Sequence, residues 1–203
     1  MYIIEGNIGA GKTTLLKLLQ KEHNIDISEE PVTEWMQLSD NQQKSIFELF
    51  YTDAKKYAFV FQMYILLTRM KQFNSISESK TLIERSIFTD KFFFMNTLKE
   101  KQIVNDIEIS VFDKWFNYFH TEVEKKIEGF VFLDVDPITC FDRIKKRKRP
   151  YENNISLDYI IQLHMFHKQF FTQDKNVLII HDMSQESINK IIQFISWNNI
   201  SIS

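Results

Sequence analysis

Ile3-Ile-Glu-Gly-Asn-Ile-Gly-Ala-Gly-Lys-Thr-Thr14 is the stretch on which the reading of this chain turns. Within it, Gly6-x-x-x-x-Gly11-Lys12-Thr13 follows a strand-like apolar run, Tyr2 to Ile4, and precedes an amphipathic helix-like run, Thr14 to Gln20. That spacing in that setting predicts a phosphate-binding loop. Gly6, Gly9 and Gly11 free the backbone to adopt positive φ and approach a ligand, so that successive N–H groups meet phosphate oxygens at a helix N-terminus. Lys12 then offers a mobile cation to the outer phosphates and Thr13 a hydroxyl for Mg²⁺. The alternative is a glycine-rich turn with a chance lysine, but only one of the chain's four glycines lies elsewhere.

Working outward, 203 residues suit one α/β domain that buries roughly 70% of the surface its unfolded form exposes. A net charge of −2 gives no global reason to expect nucleic acid or an anionic membrane as partner. One cysteine, Cys140, excludes an internal disulfide framework. With no charged-then-apolar leader before the strand at Tyr2, a reducing, cytosol-like compartment is expected. No run of 18 apolar residues is present to span a bilayer.

Short apolar runs alternate with longer helical patterns, the signature of a parallel sheet covered by helices. Strands are expected at Tyr2 to Glu5, Ile25 to Ser28, Thr81 to Glu84, Phe130 to Asp134 and Val177 to Ile180. Helices are expected at about Asp40 to Phe50, Lys55 to Phe73 and Asp106 to Ile127. The second of these carries Tyr57, Val60, Phe61, Tyr64, Leu67 and Met70 at helical spacing, a stripe that reads as core or dimer interface. Trp197 to Ser203 reads as a frayed end.

Four further clusters can carry chemistry. The second strand ends in Glu29-Glu30-Pro31-Val32. Strands of an open α/β sheet deliver residues to the crevice at their carboxyl ends, so a carboxylate here is placed to take a proton from an attacking hydroxyl. Only one of two adjacent glutamates can face inward, and the proline fixes the chain after Glu30, which makes Glu30 the better placed of the two; taken alone, the motif fits an acidic surface turn equally well. The third strand ends in Glu84-Arg85-Ser86, with Asp90 and Phe94 following at helical spacing. Glu84 can hold Mg²⁺ or its water, and Arg85 can bridge phosphate and carboxylate through its forked donors. Asp134, closing Phe130-Val-Phe-Leu-Asp134, is the reserve Mg²⁺ ligand. In Arg143-Ile-Lys-Lys-Arg147-Lys-Arg149-Pro150, Arg143 and Arg147 share a helical face and can close over a triphosphate, although a solvated basic helix or a nucleic-acid patch is the blander reading. Phe61 and Gln62 offer a ring face and an amide suited to a nucleobase. His164-x-x-His167 lacks a nearby third ligand and reads as structural.

With these clusters in chain order, the sequence resembles the deoxynucleoside kinase family from Tyr2 to about Phe171. The anchors are GNIGAGKTT, EPVTEW, FQMYILLTR, ERSIFTDKFFF and CFDRIKKRKRPYENNISLDYIIQLH. The resemblance implies a single phosphate-loop domain with a five-stranded parallel sheet, a helical homodimer interface, an arginine-rich lid at about 143–153, and transfer of the γ-phosphate of ATP to a deoxyribose 5′-hydroxyl. It implies Glu30 as general base, Arg85 beside the moving phosphoryl group, and Glu84 with Thr13 at Mg²⁺. It further implies Trp35, Gln62 and Phe94 in the base pocket, Tyr51 with Glu152 at the sugar 3′-hydroxyl, and Arg143, Arg147 and Arg149 over ATP. Where the family lid commonly runs into two acidic residues, this chain has Tyr151-Glu152, which alters how the lid is anchored. Arg69 and Asp90 resemble the charged pair of deoxycytidine and purine kinases, so deoxycytidine or a purine deoxynucleoside is expected over thymidine, although Ile65 is bulky for a deoxycytidine-type pocket. The rivals are a nucleoside monophosphate kinase, disfavoured by Glu29 where an arginine typically precedes the Glu-Pro pair, and a non-catalytic nucleotide- or nucleic-acid-binding protein.

Overall fold

The computed structural model describes residues 1–76, 81–172 and 176–197, the side chains of 150 and 197 excepted. Five parallel strands form one sheet in the order β2-β3-β1-β4-β5: β1 (Tyr2–Gly6), β2 (Ile27–Ser28), β3 (Leu82–Glu84), β4 (Gly129–Leu133) and β5 (Val177–Ile180). The two central neighbours of β1 fix the register, with Ile4 opposite Glu84 and Gly6 opposite Leu133. The three central strands are buried along their whole length because helices cover both of their faces.

Strand alternation divides the interior in two. Tyr2, Ile4, Leu82, Val131 and Leu133 pack with α1 (Lys12–His23), α8 (Pro137–Arg147) and α10 (Gln185–Trp197). Ile3, Ile83, Phe130 and Phe132 face an aromatic-rich core on the other side. That core is built by α2 (Val32–Gln37), α3 (Ile46–Thr52), α4 (Ala54–Ser75), α5 (Ile87–Thr89), α6 (Asn96–Glu100), α7 (Asp106–Lys126) and α9 (Leu157–Phe171). Between α5 and α6 the chain makes a π-helical turn, Asp90–Met95, a feature that frequently marks functional positions.

Several boundaries differ from those expected. The helix assigned to Asp40 to Phe50 begins only at Ile46, because Asp40 accepts from the N–H groups of Gln42 and Lys44, both at 2.9 Å, and holds that segment in a turn. Ser45 then caps α3 in a reciprocal box with Glu48. Strand β2 is shorter than predicted: Asn24 ends α1 in a left-handed conformation at φ 52°, and pairing starts at Ile27. The aromatic stripe of α4 splits. Phe61 and Met70 are buried, whereas Val60 and Leu67 stand 52% and 59% exposed. Of the expected frayed end, all beyond residue 197 lies outside the described residues.

Candidate active site

The loop after β1 runs in left-handed and extended conformations: φ is 152° at Gly6, 82° at Gly9 and 105° at Gly11. At Gly9 a Cβ would lie 2.4 Å from the carbonyl oxygen of Cys140, so the loop's path admits no side chain there. Asn7 fixes the loop to α9 by donating to the Ile160 carbonyl at 2.8 Å, and its own Oδ1 receives the Ile8 N–H at 2.8 Å. Arg143 donates to the Ala10 carbonyl at 2.8 Å. Helix α1 starts at Lys12 with neither a side-chain cap nor an acidic first turn, which leaves its first N–H groups suited to an anion. Thr14 follows in that first turn.

A cavity of about 340 Å³ opens between this loop and the ends of β2 and β3. Ile8, Gly9, Lys12 and Thr13 form its donor end. Glu30, Arg69, Glu84 and Arg85 form its charged floor, and Trp35, Phe47, Phe50, Tyr51, Phe61, Gln62, Ile65, Phe94 and Tyr159 its walls. Arg147, Arg149 and Glu152 line it from the end of α8 and the segment that follows. Gly6, Asn7, Ala10, Gly11, Thr14 and Arg143 stand outside the lining and shape or brace it. Asp90 also stands outside, fully buried behind Arg69.

The floor is a network of opposite charges. Arg69 donates to Glu30 at 2.7 Å and to Asp90 at 2.7 Å, and Arg85 Nε lies 3.3 Å from Glu30. Burial alone would raise Glu30, but Arg85, Arg69 and Lys12 outweigh it and hold this carboxyl below its ordinary range. For Asp90 burial prevails over Arg69 and pushes the carboxyl up. Lys12 is lowered to about 8, first by burial and then by Arg85, against the pull of Glu84 and Glu30. Thr13 donates to Glu84 Oε2 at 2.8 Å, and Lys12 stands 3.9 Å from the other oxygen of that carboxylate. Glu29, by contrast, turns outward to Lys17 at 3.2 Å, so the two adjacent glutamates have separate fates.

The reserve carboxylate Asp134 is engaged elsewhere, by Lys168 at 3.1 Å, His181 at 3.5 Å and His164 at 3.7 Å. His167 is fully buried against Phe93, with ring centroids 4.2 Å apart. Among the described residues no group of three His, Cys, Asp or Glu side chains is arranged to hold a metal ion.

In the walls, Trp35 donates to Thr68 at 2.8 Å and stacks on Phe47, while Gln62 is buried with its Oε1 unpartnered. Phe94 lies under the Arg85 guanidinium at 5.2 Å. Burial raises Tyr51 well above its ordinary range. Glu152 is clasped by Arg147, whose Nε is 2.5 Å from Oε2, with Arg149 Nη1 3.7 Å from Oε1. Tyr151 packs edge-on against Phe47 at 4.6 Å, so an aromatic contact ties the segment after α8 to the wall. Sequence reasoning missed Phe47, Phe50 and Tyr159 as lining residues. The i, i+3, i+4 spacing of Phe47, Phe50 and Tyr51 was an available signal.

A phosphate loop on the central strand of a five-stranded parallel α/β sheet, facing a charged cavity, defines a phosphate-loop phosphotransferase fold. The family profile of the deoxynucleoside kinases matches residues 2–199, and the chain belongs to that family. It is 32% identical over 190 residues to deoxycytidine kinase 2 of Gallus gallus, covering 81% of this chain and 71% of the relative. It is 28% identical over 174 residues to a probable deoxycytidine kinase of Fowlpox virus (strain NVSL), covering 84% and 71%. To mitochondrial thymidine kinase 2 of Homo sapiens it is 29% identical over 168 residues, covering 82% of this chain and 62% of that protein. The protein is therefore a kinase that phosphorylates nucleosides, with ATP as the phosphate donor the family implies.

Proposed function

We propose that the chain transfers the γ-phosphate of ATP in line to the 5′-hydroxyl of a deoxyribonucleoside, with Glu30 as general base. The observation that carries this reading is Glu30, bracketed by Arg69 and Arg85 on the floor of a cavity whose far end is Lys12 and Thr13. A carboxylate held ionised there can accept the hydroxyl proton, and Arg85 can neutralise charge on the moving group. The glycine-built loop, with no room for a side chain at Gly9, suits a polyphosphate, and the Thr13–Glu84 pair suits a Mg²⁺ ion that takes most of its ligands from phosphates and water. Thr13 and Glu84 would hold the Mg²⁺ ion, which would supply charge neutralisation to the phosphates.

On the acceptor side, Gln62, with one unpartnered buried oxygen, suits a nucleobase edge, between rings supplied by Trp35, Phe61 and Phe94. Tyr51 and Glu152 suit the sugar 3′-hydroxyl, and Arg143, Arg147 and Arg149 belong to a lid at about 143–153 that excludes water on closing. The Arg69–Asp90 pair supports deoxycytidine or a purine deoxynucleoside over thymidine. Asp90 would act through Arg69 or after a shift of it, since Arg69 stands between it and the cavity.

The whole chain reads as one domain, 1–203, acting in the cytosol as a homodimer. For the dimer the support is the exposed apolar face of α4 and α7: Leu67, Trp115 and Tyr118, beside a groove of about 350 Å³ lined by Met63, Tyr64, Leu66, Leu67, Trp115 and Phe119. For the compartment it is a lone, buried, unpaired Cys140, with no described helix long and apolar enough to cross a membrane. A monophosphate acceptor is disfavoured by Glu29 at the cavity mouth, and a nucleic-acid role by the engagement of Arg147 and Arg149 with Glu152.

The deciding experiment measures ADP release with deoxycytidine, deoxyadenosine, deoxyguanosine, thymidine and thymidylate. Stimulation by a nucleoside and not by thymidylate is expected. No stimulation by any acceptor sinks the reading.

A further inference from the structure

Glu5 is the penultimate residue of β1, directly before the first glycine of the phosphate loop, and it is wholly buried. Alternation along the strand points it to the same side as Ile3, toward the aromatic core, and its partner across the sheet is Phe132. A carboxylate in such surroundings is costly and persists only where other groups compensate for it. Nothing in the chemistry assigned above uses it.

Its compensation comes from one corner of the molecule. Glu5 Oε1 accepts from Ser86 Oγ at 3.0 Å and from Thr89 Oγ1 in a short hydrogen bond. Ser86 directly follows Arg85, and Thr89 directly precedes Asp90. Those are the two ends of the segment that meets Arg69 and Glu30.

The segment starts with a residue in an unfavourable backbone state. Arg85 has φ 65°, the left-handed region that a long side chain adopts only when its surroundings over-determine it. Two ties to β1 do so: the Arg85 N–H donates to the Ile4 carbonyl at 3.0 Å, and the next residue, Ser86, bonds to Glu5. The resulting pose sends the guanidinium to Glu30 and over the Phe94 ring, with its buried Nη1 free of any protein hydrogen-bond partner. Glu5 Oε2 is likewise unpartnered. Burial pushes the Glu5 carboxyl up, and Arg85 is the strongest influence pulling it down, so the two side chains sense each other without a direct ion pair.

We infer that Glu5 is a positioning residue for phosphoryl transfer: through Ser86 and Thr89 it sets Arg85 and Asp90 in register with the phosphate loop that leaves the same strand. The donor end and the acceptor floor are thereby fixed to one piece of backbone. A displacement of about 1 Å between such groups costs on the order of a hundredfold in rate, while ligand binding through other contacts persists. The inference rests on the phosphotransfer reading above.

The test compares Ser86→Ala/Thr89→Val, which keeps Glu5 and deletes both donors, with Thr89→Ser, which keeps the hydroxyl. Steady-state kinetics on the full chain, corrected for the folded fraction by circular dichroism, should show kcat of the double variant down about 30-fold, with KM for ATP and for the best deoxynucleoside changed only a few-fold. Thr89→Ser should stay within a few-fold of the parent. A role in stability alone would lower the melting temperature and leave kcat per folded molecule at the parental value, and that result overturns the inference. If the double variant does not fold, Thr89→Val against Thr89→Ser decides: loss of kcat with the hydroxyl supports the inference, and equal kcat overturns it. A parent chain without nucleoside-dependent ADP release overturns the phosphotransfer reading, and the inference with it. An active parent with a fully active double variant overturns the inference alone.

Discussion

The two ends of the cavity are built by different means. At the donor end the chemistry is carried by backbone: three glycines at unusual φ, the first N–H groups of α1, and one lysine, all within eight consecutive residues. At the acceptor end it is carried by side chains that arrive separately from the segment after β2, α2, α3, α4, the tip of β3, the π-helical turn and α9. A backbone cradle is specified locally and tolerates little substitution within it. A side-chain floor is specified by contacts between distant residues, and it can be retuned one residue at a time. Damage to the first should appear as lost stability and lost ATP binding, and damage to the second as lost turnover.

The largest effect expected on the acceptor side is that of Glu30→Gln, which removes the proposed proton acceptor and should lower kcat by about 10²–10⁴-fold, with ATP affinity by calorimetric titration close to the parent's. Turnover within a few-fold of the parent would break both the base assignment and the contrast between the two ends. On the donor side, Gly9→Ala forces a Cβ to within 2.4 Å of the Cys140 carbonyl at φ 82°. Overpacking and backbone strain of this kind cost about 1–3 kcal/mol. The melting temperature should fall, and ATP should bind more weakly while the deoxynucleoside does not. Equal loss for both ligands would show that the ends are not independent.

A subtler change concerns pH. Glu30 is depressed in the folded protein, with Arg85 and Arg69 the chief opponents of its burial. Arg69→Met combined with Asp90→Asn, which avoids orphaning the Asp90 carboxylate, removes one of those cations and should raise Glu30. Because the base must be ionised, the acid limb of the kcat/KM profile should move to higher pH. Movement to lower pH, or none, would separate Arg69 from the base. The same sign governs stability. A depressed carboxyl stabilises the fold above its unfolded pKa, and that contribution is lost as pH falls. The smallest effect is that of Ser45→Ala, which deletes the cap of α3 and should cost about 1 kcal/mol, read as a small drop in melting temperature with kcat unchanged.

The same contrast explains what could be read from the sequence. The phosphate loop and the strand before it were legible because every participant is contiguous. Glu30 and Glu84 were legible because an open sheet delivers residues at and just beyond its strand ends to a known edge, although β2 ends at Ser28 and strand alternation therefore does not decide which of Glu29 and Glu30 faces in. Trp35, Tyr51, Phe94 and Glu152 were reached only through family resemblance, since nothing local distinguishes them from core or surface residues. Glu5 was passed over as an ordinary strand position because its partners lie 81 and 84 residues away. The π-helical turn has no simple periodic signature, and the late start of α3 depended on which backbone N–H groups Asp40 would capture.

The left-handed turn at Arg85 has a consequence for how such a chain tolerates change. Arg85→Gly would relax that bend, but it would also open a cavity beside Phe94 and remove a buried ion-pair partner of Glu30, so relief of strain and loss of contacts oppose each other. Position 85 thus joins a strained backbone and a well-packed side chain in one residue, and the melting temperature of Arg85→Gly reads the difference between them.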